Sequence, residues 1–194
     1  MPLVRLPNGD LRDEIRQTLY DTADYGNAVS PKGTYRYFGN VQGKSAEKTN
    51  LRLNQLLETT VSYRVQGLAL DAMNTLAANV AVLPLIIERS ALIFRVAEKE
   101  YWKGPARFAA GRMWQHANNM AAPTLLQQCG QAAIQPVMFS GKHVIDLTPI
   151  QSFWCDFEVG QSWTPAEEAL ATPAALSLLP IVFSLKGLMR RPVQ

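Results

Sequence analysis

The segment SFWCDFEVG, from Ser152 to Gly160, constrains the fold of this chain more than any other stretch. Apolar side chains occupy every second position, and they are Phe153, Cys155, Phe157 and Val159. The positions between them hold Trp154, Asp156 and Glu158. This alternation has the two-residue period of a β-strand with one buried face, whereas an amphipathic helix repeats about every 3.6 residues. The segment therefore predicts a strand whose odd-numbered side chains enter a hydrophobic core.

Four further segments show the same alternation. Their predicted inward residues are Val61, Tyr63, Val65, Leu68 and Leu70; Leu92, Phe94 and Val96; Ile145 and Leu147; and Ile181, Phe183 and Leu185. In the first of these segments the phase changes at Gly67, which predicts a β-bulge at that glycine. Weaker strand candidates are TYRYF, ARFAA around Phe108, and AIQPVMF, in which Pro136 suits an edge or a bend.

Helix-compatible segments lie in the connections between these strands. DAMNTLAANVA is predicted to begin at Asp71 as an N-cap, TPAEEALA carries a capping box formed by Thr164 and Glu167, and NNMAAPTLLQQCG ends at Gly130. A parallel α/β sheet would need long apolar strands that alternate regularly with amphipathic helices, and the sequence lacks this pattern. About eight half-buried strands with long loops predict a mainly β fold. We expect an antiparallel eight-stranded jelly-roll β-sandwich over residues 34–194, with short helices in its loops.

Residues 1–33 are predicted to form an N-terminal arm outside that domain. PNGDLRDEIRQTLY offers Asp10 as an N-cap and places Leu11, Ile15 and Leu19 on one face of a short amphipathic helix. The polar run that follows is rich in Gly, Asn and Ser and indicates an extended segment. Because so short a helix is marginal in water without a partner surface, we expect its apolar stripe to dock on a neighbouring subunit or on an inner layer of a larger assembly.

Composition excludes several functional classes. The chain has 194 residues, enough for one domain with a sizeable core, and 18% of them are charged, with a net charge of +3. No run of Lys or Arg is dense enough to predict a dedicated nucleic-acid binder. Two cysteines, Cys129 and Cys155, do not make a disulfide framework in a chain of this length. The chain opens without a charged-then-apolar leader, and its most apolar stretch, Leu76–Ile87, is too short to cross a bilayer.

The segment YFGNVQGKS ends like a phosphate-binding loop, but its spacing argues against that function. The motif needs a glycine, four residues, and then Gly-Lys-Ser or Gly-Lys-Thr. Gly39 lies one residue too close to Gly43, and the position that requires glycine is Phe38. A bulky side chain there obstructs the close approach of the backbone to an anion. We therefore expect a polar turn in which Lys44 lies in water, and an NTP-binding enzyme is the least favoured hypothesis.

Other candidate chemistry is sparse. His116 and His143 lie far apart in the sequence, and neither has metal-ligand spacing. Cys155 is predicted to be a buried, unreactive thiol. Asp156 and Glu158 lie two apart on one strand face; a solvated face is the favoured interpretation, and a shared cation is the alternative. The tryptophans are scattered, at Trp102, Trp114, Trp154 and Trp163. We assign no catalytic, cofactor-binding or metal-binding residue and predict a protein without enzymatic activity, cofactor or small-molecule substrate.

The order of four stretches carries a resemblance to a known class of proteins. After a polar N-terminal region come GKSAEKTNLRLNQLLETTVSYRVQGLAL, YWKGPARFAAG and HVIDLTPIQSFWCDFEVG, and the chain closes on IVFSLKGLMRRPVQ. From Thr34 to Gln194 this layout resembles the single jelly-roll capsid or capsid-associated proteins of small bacterial viruses (bacteriophages).

The resemblance implies a structural virion protein, a capsid shell subunit that self-assembles through its loops and N-terminal arm. The implied partners are other copies of itself and other capsid proteins. Peripheral contact with an internal membrane and weak, non-specific, salt-sensitive genome contact are further expectations. Such a protein is made in the host cytoplasm and acts in the virion. The alternative hypothesis is a glycan- or receptor-binding sandwich module, such as a virion spike, which requires exposed aromatic side chains beside Asp and Asn.

Overall fold

The computed structural model describes residues 3–5, 11–25, 33–72, 86–110, 137–160 and 179–192, which form a mainly β, antiparallel structure. The strands are β1 (Leu3–Arg5), β2 (Leu11–Tyr25), β3 (Gly33–Tyr37), β4 (Ser62–Ala72), β5 (Ser90–Val96), β6 (Lys99–Pro105), β7 (Val137–Met138), β8 (Ile145–Leu147), β9 (Phe153–Val159) and β10 (Leu179–Pro192). A short helix, α1 (Arg107–Ala110), follows β6, and a 3-10 helix at Gly141–His143 precedes β8.

The strands form two sheets with a nested order of pairing. One sheet runs β1-β2-β10-β4, and both β7 and β8 pair with the far side of β4. The other sheet runs β3-β9-β5-β6. Along the chain, β5 pairs with β6, β4 with β7 and β8, β3 with β9, and β2 with β10, so each pair encloses the one before it. The antiparallel strands curl into a half-barrel.

Aromatic side chains from both sheets meet in the core. Phe183 of β10 has ring-centroid distances of 5.4 Å to Tyr37, 5.9 Å to Phe38 and 6.4 Å to Phe94. These three partners come from β3, from the residue that follows it, and from β5, so the cluster joins one sheet to the other. The side chains predicted to point inward are buried in β4, β5, β8, β9 and β10, which confirms the strand predictions for these segments. Val61 is the exception, because it precedes β4 and is only partly buried. Strands are also confirmed within TYRYF, as β3, and within AIQPVMF, as β7.

The β-bulge predicted at Gly67 is confirmed. Gly67 and Val65 oppose consecutive residues of β10, so Gln66 is the extra residue in β4. The opposing residue of β10 at this step is Gly187, where a Cβ atom would lie 2.0 Å from the carbonyl oxygen of Arg64. The extra residue in β4 therefore requires a glycine on the neighbouring strand.

Tyr63 of β4 contacts the backbones of β10 and β2 beside this bulge. Its hydroxyl lies 2.7 Å from the carbonyl oxygen of Leu185 on β10 and 2.6 Å from that of Gln17 on β2. The ring reaches that far because Gly187, which it crosses, has no side chain. Burial raises the pKa of the Tyr63 hydroxyl, which stays protonated at neutral pH.

The predicted N-terminal helix is wrong, because residues 11–25 form β2. This strand pairs with all 14 residues of β10, and Leu19 lies in the core at 1% exposure. The boundary between residues 33 and 34 stays a prediction. β2, on the N-terminal side of that boundary, belongs to the same sheet as β10 and β4.

Two other local predictions are also wrong. ARFAA forms the helix α1 rather than a strand, and Phe108 in it is 58% exposed. Asp71 lies inside β4 and is therefore not the N-cap of a helix. The helices predicted in TPAEEALA and NNMAAPTLLQQCG, and Pro136, lie outside the described residues.

Candidate functional site

Lys44 of the GNVQGKS segment is held by a buried carboxylate and does not lie in water. Asp21 on β2 has 0% exposure, and its Oδ1 atom accepts a hydrogen bond from Lys44 Nζ at 2.7 Å. The same ammonium group donates to the carbonyl oxygen of Thr22 at 2.7 Å, and the Lys44 side chain is only 24% exposed. The backbone N–H of Phe38 donates to the second oxygen of Asp21 at 2.6 Å. The solvated lysine that the sequence predicted is thus a structural ion pair.

The residues that follow this segment are attached to β2 by backbone and amide contacts. Thr49 forms a β-bridge with Asp21. The Asn50 side chain accepts a hydrogen bond from the Tyr20 N–H at 2.9 Å and donates one to the Thr18 carbonyl oxygen at 2.7 Å. Thr49 and Asn50 therefore attach this loop to β2. A phosphate-binding loop instead directs its lysine and backbone N–H groups at an anion.

The outer surface of the four-stranded sheet carries a second charged cluster. Strand alternation places Arg36 of β3, Arg95 of β5, and Trp154, Asp156 and Glu158 of β9 on this surface, which we call the arginine face. Arg36 and Asp156 are directly opposed in the register of β3 and β9, as are Arg95 and Trp154 in that of β5 and β9. Residues more than 100 positions apart in the chain are thus brought into contact by strand pairing.

Asp156 lies at the centre of this face and is only 2% exposed. Its Oδ1 atom accepts from Arg36 Nε at 2.7 Å, and its Oδ2 atom accepts from Arg95 Nη1 at 2.6 Å and from Trp154 Nε1 at 3.2 Å. Arg36 Nη2 also reaches Oδ2, at 3.3 Å, so that the guanidinium grips both carboxylate oxygens. The hydrogen bond to Asp156 raises the pKa of Arg36.

Asp156 is therefore not the solvated carboxylate that the sequence predicted. Two arginines and an indole N–H enclose it, and these satisfy its charge and its lone pairs. Glu158, two residues further along β9, is only partly exposed and has no hydrogen-bond or ion-pair partner among the described residues. Asp156 and Glu158 share a strand face as predicted, but Asp156 is buried whereas Glu158 is partly exposed.

Cys155 agrees with its prediction as a buried thiol. It is fully buried and free. Burial, with a smaller contribution from the Asp156 carboxylate, raises the pKa of the thiol well above its ordinary value. A nucleophilic cysteine needs the opposite shift, because the thiolate is the reactive form.

The histidines and tryptophans do not converge within the described residues. His143 is exposed in the 3-10 helix before β8. Trp154 belongs to the arginine face, whereas Trp102 packs against the core. His116, Cys129, Trp114 and Trp163 lie outside the described residues.

One cavity lies between β6 and the β7–β8 connection. It has a volume of about 380 Å³, and its lining includes Lys99, Glu100 and Tyr101 of β6 together with Phe139 and His143 from the β7–β8 connection. A smaller cavity, of about 210 Å³, lies beside β2. The first combines two aromatic side chains with groups that can donate and accept hydrogen bonds, which is the usual composition of a small-ligand site.

Sequence reasoning missed Asp21, Arg36 and Arg95. One signal was available in the sequence: a charged residue interrupts each of the strands TYRYF, SALIFRV and SFWCDFEVG. Charged residues on paired strands form ion pairs when the register opposes them. That register comes only from the three-dimensional pairing.

In the part of the chain that the structure describes, His, Cys, Asp and Glu do not gather in groups of three suited to a metal ion. Among the same residues, no helix has both the length and the apolar character needed to cross a membrane. Comparison of the chain with protein-family models, curated proteins and solved structures finds no significant match.

Proposed function

We propose that this chain is a jelly-roll structural protein of a virus particle, a capsid shell subunit that assembles with copies of itself and with other capsid proteins. The observation that carries the proposal is the nested order of strand pairing. A jelly roll has eight strands in two sheets, formed when a long antiparallel hairpin rolls up so that its outer strands enclose its inner ones.

The pairing order fits that description when β7 and β8 count as one interrupted strand, because both pair with the same side of β4. Eight strands from β2 to β10 then form four nested pairs. Two further pairings, β10 with β4 and β9 with β5, complete the sheets, and each joins alternate nested pairs. β1 is a three-residue addition at the edge of β2.

The shell role rests on the resemblance of this layout to phage capsid proteins and on the construction of the sandwich. Shell subunits need a rigid wall, and here β2 and β10 pair over 14 residues while buried ion pairs fix the loop after β3 and the outer face of the small sheet. Large apolar side chains also remain exposed outside the core, including Ile150 at 91%, Met138 at 61% and Phe108 at 58%. Contacts with neighbouring subunits would bury such side chains.

Assembly of the purified full-length chain tests this proposal. Electron microscopy and light scattering are expected to show closed shells or regular oligomers whose size depends on protein concentration. A chain that stays monomeric at every concentration, alone and with the other proteins of its particle, would overturn the shell role.

A glycan-binding module is the second candidate, and the 380 Å³ cavity favours it. Tyr101 is 40% exposed there, and an exposed aromatic ring can stack on a sugar. NMR titration with neutral and acidic oligosaccharides would show shifts confined to the cavity. Tyr101→Ala should abolish them, while Lys103→Ala, on the same strand but outside the cavity lining, should leave them unchanged.

A further inference from the structure

We infer that the arginine face is a contact surface for a second copy of this chain, related to the first by a two-fold axis. The inference rests on the proposed function, because it takes self-assembly as given and names the surface that performs it. Three features of the face support it: an arginine held in place, a nearby glutamate that has no partner among the described residues, and an overall balance of charge.

Arg36 has an ordered but exposed guanidinium that can form a further contact. The carboxylate of Asp156 fixes its guanidinium through two hydrogen bonds, and the ring of Trp154 lies 5.3 Å from its central carbon. The Arg36 side chain is nevertheless 50% exposed. A guanidinium carries five N–H groups, and Asp156 accepts from two of them, one on Nε and one on Nη2. The Nη1 donors of Arg36 have no acceptor among the described residues. A contact to Arg36 therefore loses little side-chain entropy, because the side chain is already ordered.

Glu158 supplies the complementary charge on the same face. It lies two residues from Asp156 on β9 and opposes Thr34 on β3, so it is the diagonal neighbour of Arg36. A two-fold axis that places Arg36 over Glu158 of the partner subunit also places Glu158 over the partner subunit's Arg36. This is the self-complementary pattern of an isologous interface. Trp154, which lies on the opposite side of Asp156 from Glu158, adds aromatic area of the kind that dominates interface energetics.

The charge balance favours a protein partner over a nucleic acid. Lys103 of β6 opposes Ile93, whose side chain lies on this outer face, and it joins Arg36 and Arg95 as a third cation. Glu100, Asp156 and Glu158 provide three carboxylates on the same surface. A nucleic-acid surface needs an excess of cations, because its affinity comes from neutralising phosphates. A second copy with the same mixture of charges meets opposite charges instead.

Charge reversal at Glu158 tests the inference with the full-length protein. Glu158→Arg should weaken self-association at least tenfold in sedimentation velocity, because it places a cation against the partner subunit's Arg36. Arg36→Lys keeps the charge but loses the planar two-point grip and the stacking on Trp154, so it should weaken association as well. Glu47→Arg, an equal charge change in an exposed loop residue, is the matched control and should have no effect. Circular dichroism should show that each variant keeps the β signal of the unchanged protein.

The outcomes separate this inference from the proposed function. Particles that form equally well with Glu158→Arg would overturn the arginine face as a contact and leave the shell role intact. A dimer that depends on Glu158 but never grows into larger particles would support the face and overturn the shell role. A monomer under all conditions would overturn both. Weaker association at higher ionic strength is also expected, because salt screens exposed charges.

Discussion

Replacing Lys44 with alanine should destabilise the fold, because it leaves the buried carboxylate of Asp21 without its cationic partner. Asp21 has 0% exposure, and among the described residues its carboxylate accepts hydrogen bonds from two groups, the ammonium of Lys44 at 2.7 Å and the N–H of Phe38 at 2.6 Å. Removing one partner of a buried ion pair costs roughly 3–5 kcal/mol, since the remaining charge stays desolvated. The Lys44 side chain is 24% exposed, so water can enter part of the vacated space. We therefore expect a loss near the lower limit, about 3 kcal/mol.

The chain contains a matched control at Lys48. Its Nζ atom lies 2.7 Å from Asp24 Oδ2, the same separation as in the Lys44 pair, but the two side chains are 42% and 32% exposed. An exposed pair contributes about 0–1 kcal/mol. Thermal and denaturant unfolding followed by circular dichroism should separate the variants clearly. A loss of 3 kcal/mol corresponds to a fall of about 6–12 °C in Tm for a chain of this size.

A second substitution at Asp21 identifies the cause of the loss. Asp21→Asn in the Lys44→Ala background removes the charge and keeps an oxygen that can accept from the Phe38 N–H. It should recover part of the stability, because a neutral amide is far cheaper to bury than a carboxylate. If Lys44→Ala costs no more than Lys48→Ala, or if Asp21→Asn brings no recovery, then the ion pair does not hold this loop and our reasoning is refuted.

Three further outcomes are expected from the same unfolding measurements. Gly187→Ala should cost about 3 kcal/mol or more, because its Cβ atom would lie 2.0 Å from the Arg64 carbonyl oxygen; a neutral result would place the bulge elsewhere. Phe157→Ala should lower the free energy of unfolding by roughly 3–5 kcal/mol, whereas Glu158→Ala should lower it by about 0.5 kcal/mol or less in the monomer. Equal losses would contradict the assigned strand faces. Burial raises the pKa of the Cys155 thiol in the folded state, so the buried neutral thiol contributes fully to the free energy of unfolding below the unfolded thiol pKa, near 8.5. Above that pH the free energy of unfolding should fall by about 1.4 kcal/mol per pH unit, because unfolding then releases the thiol proton. Cys155→Ala should remove this part of the pH dependence.

The faces of the strands were predictable because alternation is a local property. The inward side chains of β5 and β9 follow directly from a two-residue period, and the break at Gly67 marked the bulge. A bulge changes which parity points inward, so Val65 and Leu68 are both buried although their separation is odd. Such a phase change is visible in the sequence without knowledge of the partner strand.

The charged cluster was not predictable because its members meet only through pairing. The alternation within its own strand places Asp156 on the polar face, which by itself predicts a solvated side chain. Its burial depends on Arg36, which lies 120 positions away, and on Arg95, which lies 61 positions away. A one-residue shift of either neighbouring strand would turn these arginines to the opposite face. Register of this kind is set by the packing of the whole core, and Lys44 and Asp21 escaped prediction for the same reason.

β2 shows how a local period can fit two structures equally well. Leu11, Ile15 and Leu19 are spaced by four, which is close to one helical turn and is also an even number, so the stripe fits one face of a helix or of a strand. The positions between them on that strand face include Asp13 and Gln17, whose polarity hides the alternation. As a strand, the segment forms backbone hydrogen bonds along the whole of β10, whereas an isolated helix of this length has no comparable source of stability. Pairing between the two ends of the chain thus overrides the local helix signal. It also makes β2 part of the outermost pair of the nested fold.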